Sequence, residues 1–273
     1  MYLVLLVFTD WNFKKRIESL NLDNPDYELL ILGNSLAMDG FDTGLLTSCG
    51  LKSYNLAIDG GSLKTSYIQL TEYLAQYKTE PAYLILGLGS FMGSFEGEAI
   101  HPIVEFTMKD YKFTFNDLPI VKFQWLGAEV AKKIVSSTHR NAILSAGQLK
   151  FQKKVPDNTN YSDRTFNIEY YKASFYTGEI ARLCHIKRIK LIIIEMPGYH
   201  STQNDTEIGP VEISFSNGCR AYLYNLNSKE FCRIFNSTED WIGNSHLNEF
   251  GAIKFTRRMM NVVFGYRLNG LDP

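Results

Sequence analysis

Short apolar runs that alternate with segments of helical spacing constrain the fold of this chain most strongly. Runs that are apolar on both faces and end at Gly or Pro are predicted as buried strands at residues 29–32, 83–88 and 191–194, with weaker candidates at 53–57 and 232–235. Helical spacing predicts helices over residues 62–77, 167–188 and 250–264. Because strands and helices alternate, the sequence predicts an α/β fold with a mainly parallel five-strand sheet.

The long segment between the second and third strong strands departs from this alternation. No repeat or Gly/Ser linker divides the chain, so residues 1–273 are predicted as a single domain, with residues 91–189 including a helical insertion. Helices are expected near 120–135 and 140–152, and a polar loop over 156–164. The insertion lies either over the carboxyl edge of the sheet or beside it, as a lid or as structural elaboration.

The first twenty residues allow several interpretations. Residues 1–8 are entirely apolar but are fewer than the roughly 20 residues that a membrane span requires. They form a buried first element, a membrane-surface anchor, or the stub of a longer anchor, so residues 1–20 are treated as an anchor stub or an N-terminal extension. Peripheral membrane association therefore remains open, and so does the choice between the cell envelope and the cytoplasm.

The charge balance excludes some partners. The chain has 28 Lys and Arg residues against 29 Asp and Glu residues, a formal charge of −1, and no basic excess. Proteins that bind nucleic acid usually show such an excess, so no nucleic-acid partner is predicted. No His or Cys pattern has metal-ligand spacing, so neither a metal nor a cofactor is predicted. The sequence does not indicate an oligomeric state.

Three turns carry residues that are suited to chemistry. In open α/β sheets, ligands bind beyond the carboxyl ends of the strands. After the first strand, Ser35 in a Gly-Asn-Ser turn either caps the next helix or presents a nucleophilic hydroxyl. After the second strand, Gly60 either forms a plain tight turn or presents a backbone N–H group to an oxyanion. His246 precedes the last helix, where it is placed to act as a base.

These three blocks, in this order, resemble those of the GDSL/SGNH hydrolase superfamily. The matching residues are Gly33-Asn34-Ser35, the segment 55–60, and His246-Leu247-Asn248 followed by Gly251. The resemblance implies a flavodoxin-like three-layer fold and acyl-ester chemistry, with Ser35 as nucleophile, His246 as general base, and the N–H groups of Ser35 and Gly60 as oxyanion donors. Asn34, Phe91 and Tyr199 are expected to contact the substrate.

Two departures from the family pattern bear on activity. Phe91 stands where the family has an Asn donor, and Gly243 stands where it has the Asp of the triad. Asp240 is therefore predicted to orient His246, with Glu239, Asn244 and a backbone carbonyl as the alternatives. The predicted function is that of an esterase or a glycan O-acetyltransferase, acting on a small-molecule or glycan acyl ester through a Ser-His dyad or a variant triad. The alternative is a binding protein that keeps the fold without the catalysis.

Overall fold

The computed structural model describes residues 6, 10–23, 25–89, 99–112, 114–128, 131, 142–151, 167–198, 209–236, 239–242 and 246–265. Its strands are β1 (Leu29–Gly33), β2 (Ser53–Asn55), β3 (Tyr83–Leu88), β4 (Ala142–Ser145), β5 (Gln148–Phe151), β6 (Lys190–Glu195), β7 (Val211–Ser214), β8 (Arg220–Asn225), β9 (Trp241–Ile242) and β10 (His246–Leu247). Its helices are α1 (Trp11–Ser19), α2 (Ser35–Gly40), α3 (Thr43–Ser48), α4 (Leu63–Gln76), α5 (Pro102–Phe106), α6 (Pro119–Lys122), α7 (Ile168–Ala173), α8 (Phe175–Lys187), α9 (Lys229–Cys232) and α10 (Glu249–Phe264).

The central sheet confirms the α/β fold with a mainly parallel sheet, but it has six strands and not five. Its order is β2-β1-β3-β6-β8-β7. The first five strands in this order pair in parallel, and β7 adds to the edge in the antiparallel direction. The predicted strand at 232–235 is wrong, because Cys232 ends helix α9 and the next residues form a turn. The fifth parallel strand is instead β8, in which the exposed Arg220 and Tyr222 interrupt the apolar run.

Helices cover both faces of the sheet. Along β1, Leu29 and Ile31 pack on one face with residues of α2, α3 and α10, whereas Leu30 and Leu32 pack on the other face with residues of α4 and α8. All five residues of β1 are buried as a result. Complete burial of a Leu or Ile side chain contributes roughly 1.5–3 kcal/mol, which explains why this strand is apolar on both faces.

A pair of glycines brings α2 close to the carboxyl end of the sheet. Gly33 lies opposite Gly87 on the neighbouring strand. A Cβ atom on Gly33, whose φ is +140°, would lie 2.0 Å from the carbonyl oxygen of Gly87, and one on Gly87 would lie 2.9 Å from Cβ of Ala37. Only residues without a side chain fit at these two positions. The close approach fixes the start of α2 directly above the end of β1.

The described residues of the insertion differ from the elements that its sequence predicts. The helix predicted at 140–152 is wrong, because this region forms the antiparallel hairpin of β4 and β5. In the described residues, the helix expected near 120–135 is represented by the short α6, a 3₁₀ turn over Gln124–Leu126, and helical backbone at 127, 128 and 131. The helix predicted at 167–188 is broken at Ser174, which caps α8. The polar loop expected at 156–164 lies outside the described residues.

The N-terminal helix α1 packs on the body of the protein. Phe13 is fully buried in a separate apolar cluster with residues of α5 and with Phe123 and Leu126. Arg16, on the same helix, pairs with Glu72 of α4. None of the helices in the described part of the chain has the length and apolarity needed to cross a membrane.

Candidate active site

The turn between β1 and α2 presents Ser35 at the first position of the helix. Asn34 is the N-cap, and its Oδ1 accepts a hydrogen bond from Leu36 N at 3.0 Å. The hydroxyl of Ser35 is therefore not needed as a cap, and it forms no hydrogen bond with another described residue. Its backbone N–H likewise has no acceptor among the described residues. Ser35 is 5 % exposed, so this turn offers a sheltered hydroxyl with an N–H donor on the same residue.

The partner of His246 is an acidic residue on the same helix as Ser35. His246 Nδ1 lies 2.9 Å from Oδ2 of Asp39. Asp39 is the fourth residue after Ser35, and residues with this spacing are neighbours on one helix face, with about 5–6 Å between their Cβ atoms. Strand β10, which carries His246, packs against α2. The structure thus gathers a hydroxyl, a carboxylate and an imidazole at one helix.

Burial controls the charge of Asp39. Its side chain is 5 % exposed, and its Oδ1 has no hydrogen-bond partner among the described residues. Desolvation raises the pKa of Asp39 to about 6, while the hydrogen bond and charge of His246 oppose the rise. Among the described residues, the imidazole of His246 is the hydrogen-bond partner of the Asp39 carboxylate, and this bond fixes which way the His246 ring faces.

The carboxylate of Asp240 forms its hydrogen bonds with described residues other than His246. Its Oδ2 accepts hydrogen bonds from Lys254 Nζ at 2.7 Å and from Asn236 N at 2.5 Å. Its backbone carbonyl accepts a hydrogen bond from Asn248 N at 3.0 Å. The bonds to Lys254 and Asn248 connect Asp240, just before β9, to α10 and its N-cap. Asp39, and not the predicted Asp240, is therefore the acidic partner that the structure gives to His246.

The loop after β2 lies against the turn that carries Ser35. Ile58 N donates to the carbonyl oxygen of Gly33 at 3.3 Å. Asn55, which is fully buried, donates from Nδ2 to the carbonyl oxygen of Ala37 in α2 at 2.8 Å. Gly60 follows in the same loop with a φ of +69°, and its N–H has no acceptor among the described residues. Two backbone N–H groups without acceptors, those of Ser35 and Gly60, thus belong to adjoining turns.

A buried lysine, Lys15, connects the loop after β2 to the β4–β5 turn. Lys15 of α1 donates to the carbonyl oxygen of Gly147 in the β4–β5 turn, and its Nζ lies 3.4 Å from Oδ1 of Asn55. Burial lowers the pKa of Lys15 to about 7, although the charge of Asp39 opposes this shift. Lys15 therefore ties α1, the hairpin and the Asn55 loop together. Sequence analysis missed it because Lys14, Lys15 and Arg16 look like an ordinary exposed basic cluster.

The remaining predicted site residues are placed only in part. Phe91, Tyr199 and Gly243 lie outside the described residues. Asn34 is buried and acts as the helix cap, as described above. In the described part of the chain, His, Cys, Asp and Glu side chains form no group of three or more that could hold a metal ion.

No protein-family model matches this chain, and no curated protein matches its sequence significantly. What the site does must therefore be inferred from its own geometry.

Proposed function

We propose that the chain carries out serine-dependent acyl-ester chemistry with Ser35 as nucleophile, His246 as general base and Asp39 as the residue that orients the base. The observation that carries this proposal is the hydrogen bond between His246 Nδ1 and Asp39, four residues after Ser35 on the same helix. A nucleophile, a base and a carboxylate that holds the base are the three parts of a catalytic triad.

The fold supports the same proposal. Among the five parallel strands, the spatial order corresponds to 2-1-3-4-5 in chain order. This is the flavodoxin-like order, which has its ligand site at the carboxyl edge where the strand order reverses, beside the first strand. Ser35 follows β1 at that edge. A flavodoxin-like SGNH-type domain is therefore the finer fold assignment that we propose.

In the proposed mechanism, His246 Nε2 takes the hydroxyl proton of Ser35 while Oγ attacks the ester carbonyl. The N–H groups of Ser35 and Gly60 stabilise the oxyanion of the tetrahedral intermediate. The carbon–oxygen bond to the alcohol then breaks, and the alcohol leaves with the proton from His246. Water or a sugar hydroxyl next gives its proton to His246 and attacks the acyl carbon of the acyl-serine. The bond between the acyl carbon and Oγ then breaks, Oγ of Ser35 takes the proton back from His246, and an acid or a new ester is released.

The test is turnover of small activated acyl esters by the full chain, followed at early times and at steady state. We expect a burst of about one alcohol per chain, followed by slower release, because the acyl-serine accumulates before it is hydrolysed. A sugar acceptor added in the same assay separates a transferase, which forms a sugar ester, from an esterase, which does not. Absence of both burst and turnover around neutral pH would contradict the proposal and favour a non-catalytic binding protein.

A further inference from the structure

His101 lies beside the Gly60 loop, although it comes from the segment that follows β3. If Gly60 carried a Cβ atom, Cδ2 of the His101 ring would be 3.8 Å from it. The backbone N–H of His101 donates to Thr65 Oγ1 at 2.9 Å, and Ser62 Oγ donates to the carbonyl oxygen of Ala99 at 2.9 Å. Thr65, which accepts, and Ser62, which donates, both belong to the start of α4. The start of α4 therefore holds the backbone of Ala99 and His101 beside the Gly60 loop.

One nitrogen of the His101 ring has a defined role. Nδ1 accepts a hydrogen bond from Ile103 N at 3.3 Å, as the N-cap of α5. A neutral imidazole that accepts at Nδ1 carries its proton at Nε2. Burial lowers the pKa of His101 to about 4, against the charge of Asp59, so the ring is neutral around neutral pH. Its Nε2–H donates to no other described residue.

We infer that the Nε2–H of His101 is a third hydrogen-bond donor of the acyl site and binds the oxygen of the substrate's acyl group as it becomes an oxyanion. This inference rests on the proposed function. Nε2 is bonded to Cδ2, the ring atom that faces Gly60, and the N–H of Gly60 is one of the two proposed backbone donors. The Gly60 loop in turn adjoins the turn of Ser35, through the bond from Ile58 N to Gly33 O. A neutral, fixed N–H donor stabilises an oxyanion without having to change its protonation state.

A matched pair of substitutions separates this role from the capping role. His101→Asn keeps an acceptor where Nδ1 lies, and can still cap α5, but has no atom at the position of Nε2. His101→Gln places an amide N–H close to that position. We expect kcat for an activated acyl ester to fall about 10²-fold in the Asn variant, with KM changed only a few-fold, because losing one oxyanion donor typically costs this much. The Gln variant is expected to recover most of the loss.

Inhibition by a small boronic acid, which forms a tetrahedral adduct on a serine, provides a second measurement. Its inhibition constant should rise in the Asn variant by a factor similar to the loss in kcat, whereas inhibition by the product acid should hardly change. Equal kcat values in the Asn variant and the wild type would overturn the inference alone. A wild type without turnover and without boronate inhibition would overturn the inference together with the proposed function.

Nitrogen NMR of the wild-type chain keeps the inference testable if the variants do not fold. The chemical shifts should identify the Nε2–H tautomer of His101, and the boronic acid should move the Nε2–H proton downfield, because a hydrogen bond to the charged adduct forms. The Nδ1–H tautomer, or an Nε2–H resonance that the adduct leaves unchanged, would overturn the inference.

Discussion

The Asp39→Asn variant is expected to lose about 10⁴-fold in kcat for an activated acyl ester, the size of effect seen when a triad carboxylate becomes an amide. The physical reason is the tautomer of His246. Asp39 Oδ2 accepts a hydrogen bond from Nδ1–H of His246, which keeps the ring proton on Nδ1 and leaves Nε2 able to accept the proton of Ser35. The amide of an Asn can donate to Nδ1 instead, and the ring proton then moves to Nε2, where it blocks the base.

Although Asp39→Asn is expected to lower kcat, it is not expected to lower the thermal stability of the chain. Burial raises the pKa of Asp39 above its unfolded value to about 6, so the protonated form is favoured in the folded chain. The stabilisation that Asp39 contributes is complete below its unfolded pKa and is lost as the pH rises through about 6, so at neutral pH the ionised carboxylate destabilises the folded state. An Asn avoids this cost, and we expect a melting temperature at neutral pH equal to or above that of the wild type.

Asp240→Asn is the matched control, since it makes the same chemical change at the other buried carboxylate near His246. Asp240 pairs with Lys254, and losing this pair is expected to lower the melting temperature while leaving kcat within a few-fold of the wild type. Steady-state kinetics and thermal unfolding of the two variants measure both effects. A wild-type rate in Asp39→Asn, or a 10⁴-fold loss in Asp240→Asn, would contradict the assignment of Asp39 as the orienting residue.

The Ser35→Ala variant is expected to lose about 10⁴-fold or more in kcat, because no other group replaces the attacking oxygen. The fold should tolerate this change well. Asn34 and not Ser35 caps α2, and the Ser35 hydroxyl makes no hydrogen bond with another described residue. The melting temperature should therefore stay close to that of the wild type.

Ser48→Ala is the control for this variant, because Ser48 is an exposed serine at the end of the next helix. We expect it to retain full activity in the same ester assay. An Ala variant at position 35 that still turns over the ester at the wild-type rate would show that the reaction does not pass through Ser35.

The parts of the fold that the sequence predicted are those in which local pattern and tertiary environment agree. The runs within β1, β3 and β6 are apolar on both faces because helices cover both sides of the sheet. Helices α4 and α10 were predicted nearly to their ends, since each begins after a capping residue, Ser62 or Asn248. β8 was missed because exposed residues, Arg220 and Tyr222, alternate with buried ones in its first half, so it lacks the continuous apolar run of the other strands.

The β4–β5 hairpin shows why local pattern alone is insufficient. Residues 140–152 have helical spacing, but Ala146 and Gly147 form a turn in which both have positive φ values. The hairpin is then held by tertiary contacts, from Asn55 N to the carbonyl oxygen of Ala146 and from Lys15 to that of Gly147. Such contacts between distant segments cannot be read from local spacing.

The candidate site was predictable in its blocks but not in its carboxylate. The acidic residues shortly before His246 in the chain favour Asp240 as its partner. The structural partner is Asp39, 207 residues earlier in the chain. One signal was present in the sequence, since Asp39 follows Ser35 by one helical turn and so shares its helix face. That signal becomes specific only when β10 is known to pack on α2.

The most direct test of Ser35 as the nucleophile is to react the full wild-type chain with a serine-directed fluorophosphonate and to locate the adduct by peptide mass spectrometry. Only a serine with an activated hydroxyl reacts rapidly with such a reagent. We expect about one adduct per chain, carried by the peptide that contains Ser35, and a much slower reaction in Asp39→Asn. An unlabelled chain, or an adduct on any other residue, would contradict the proposal that Ser35, His246 and Asp39 act as a catalytic unit.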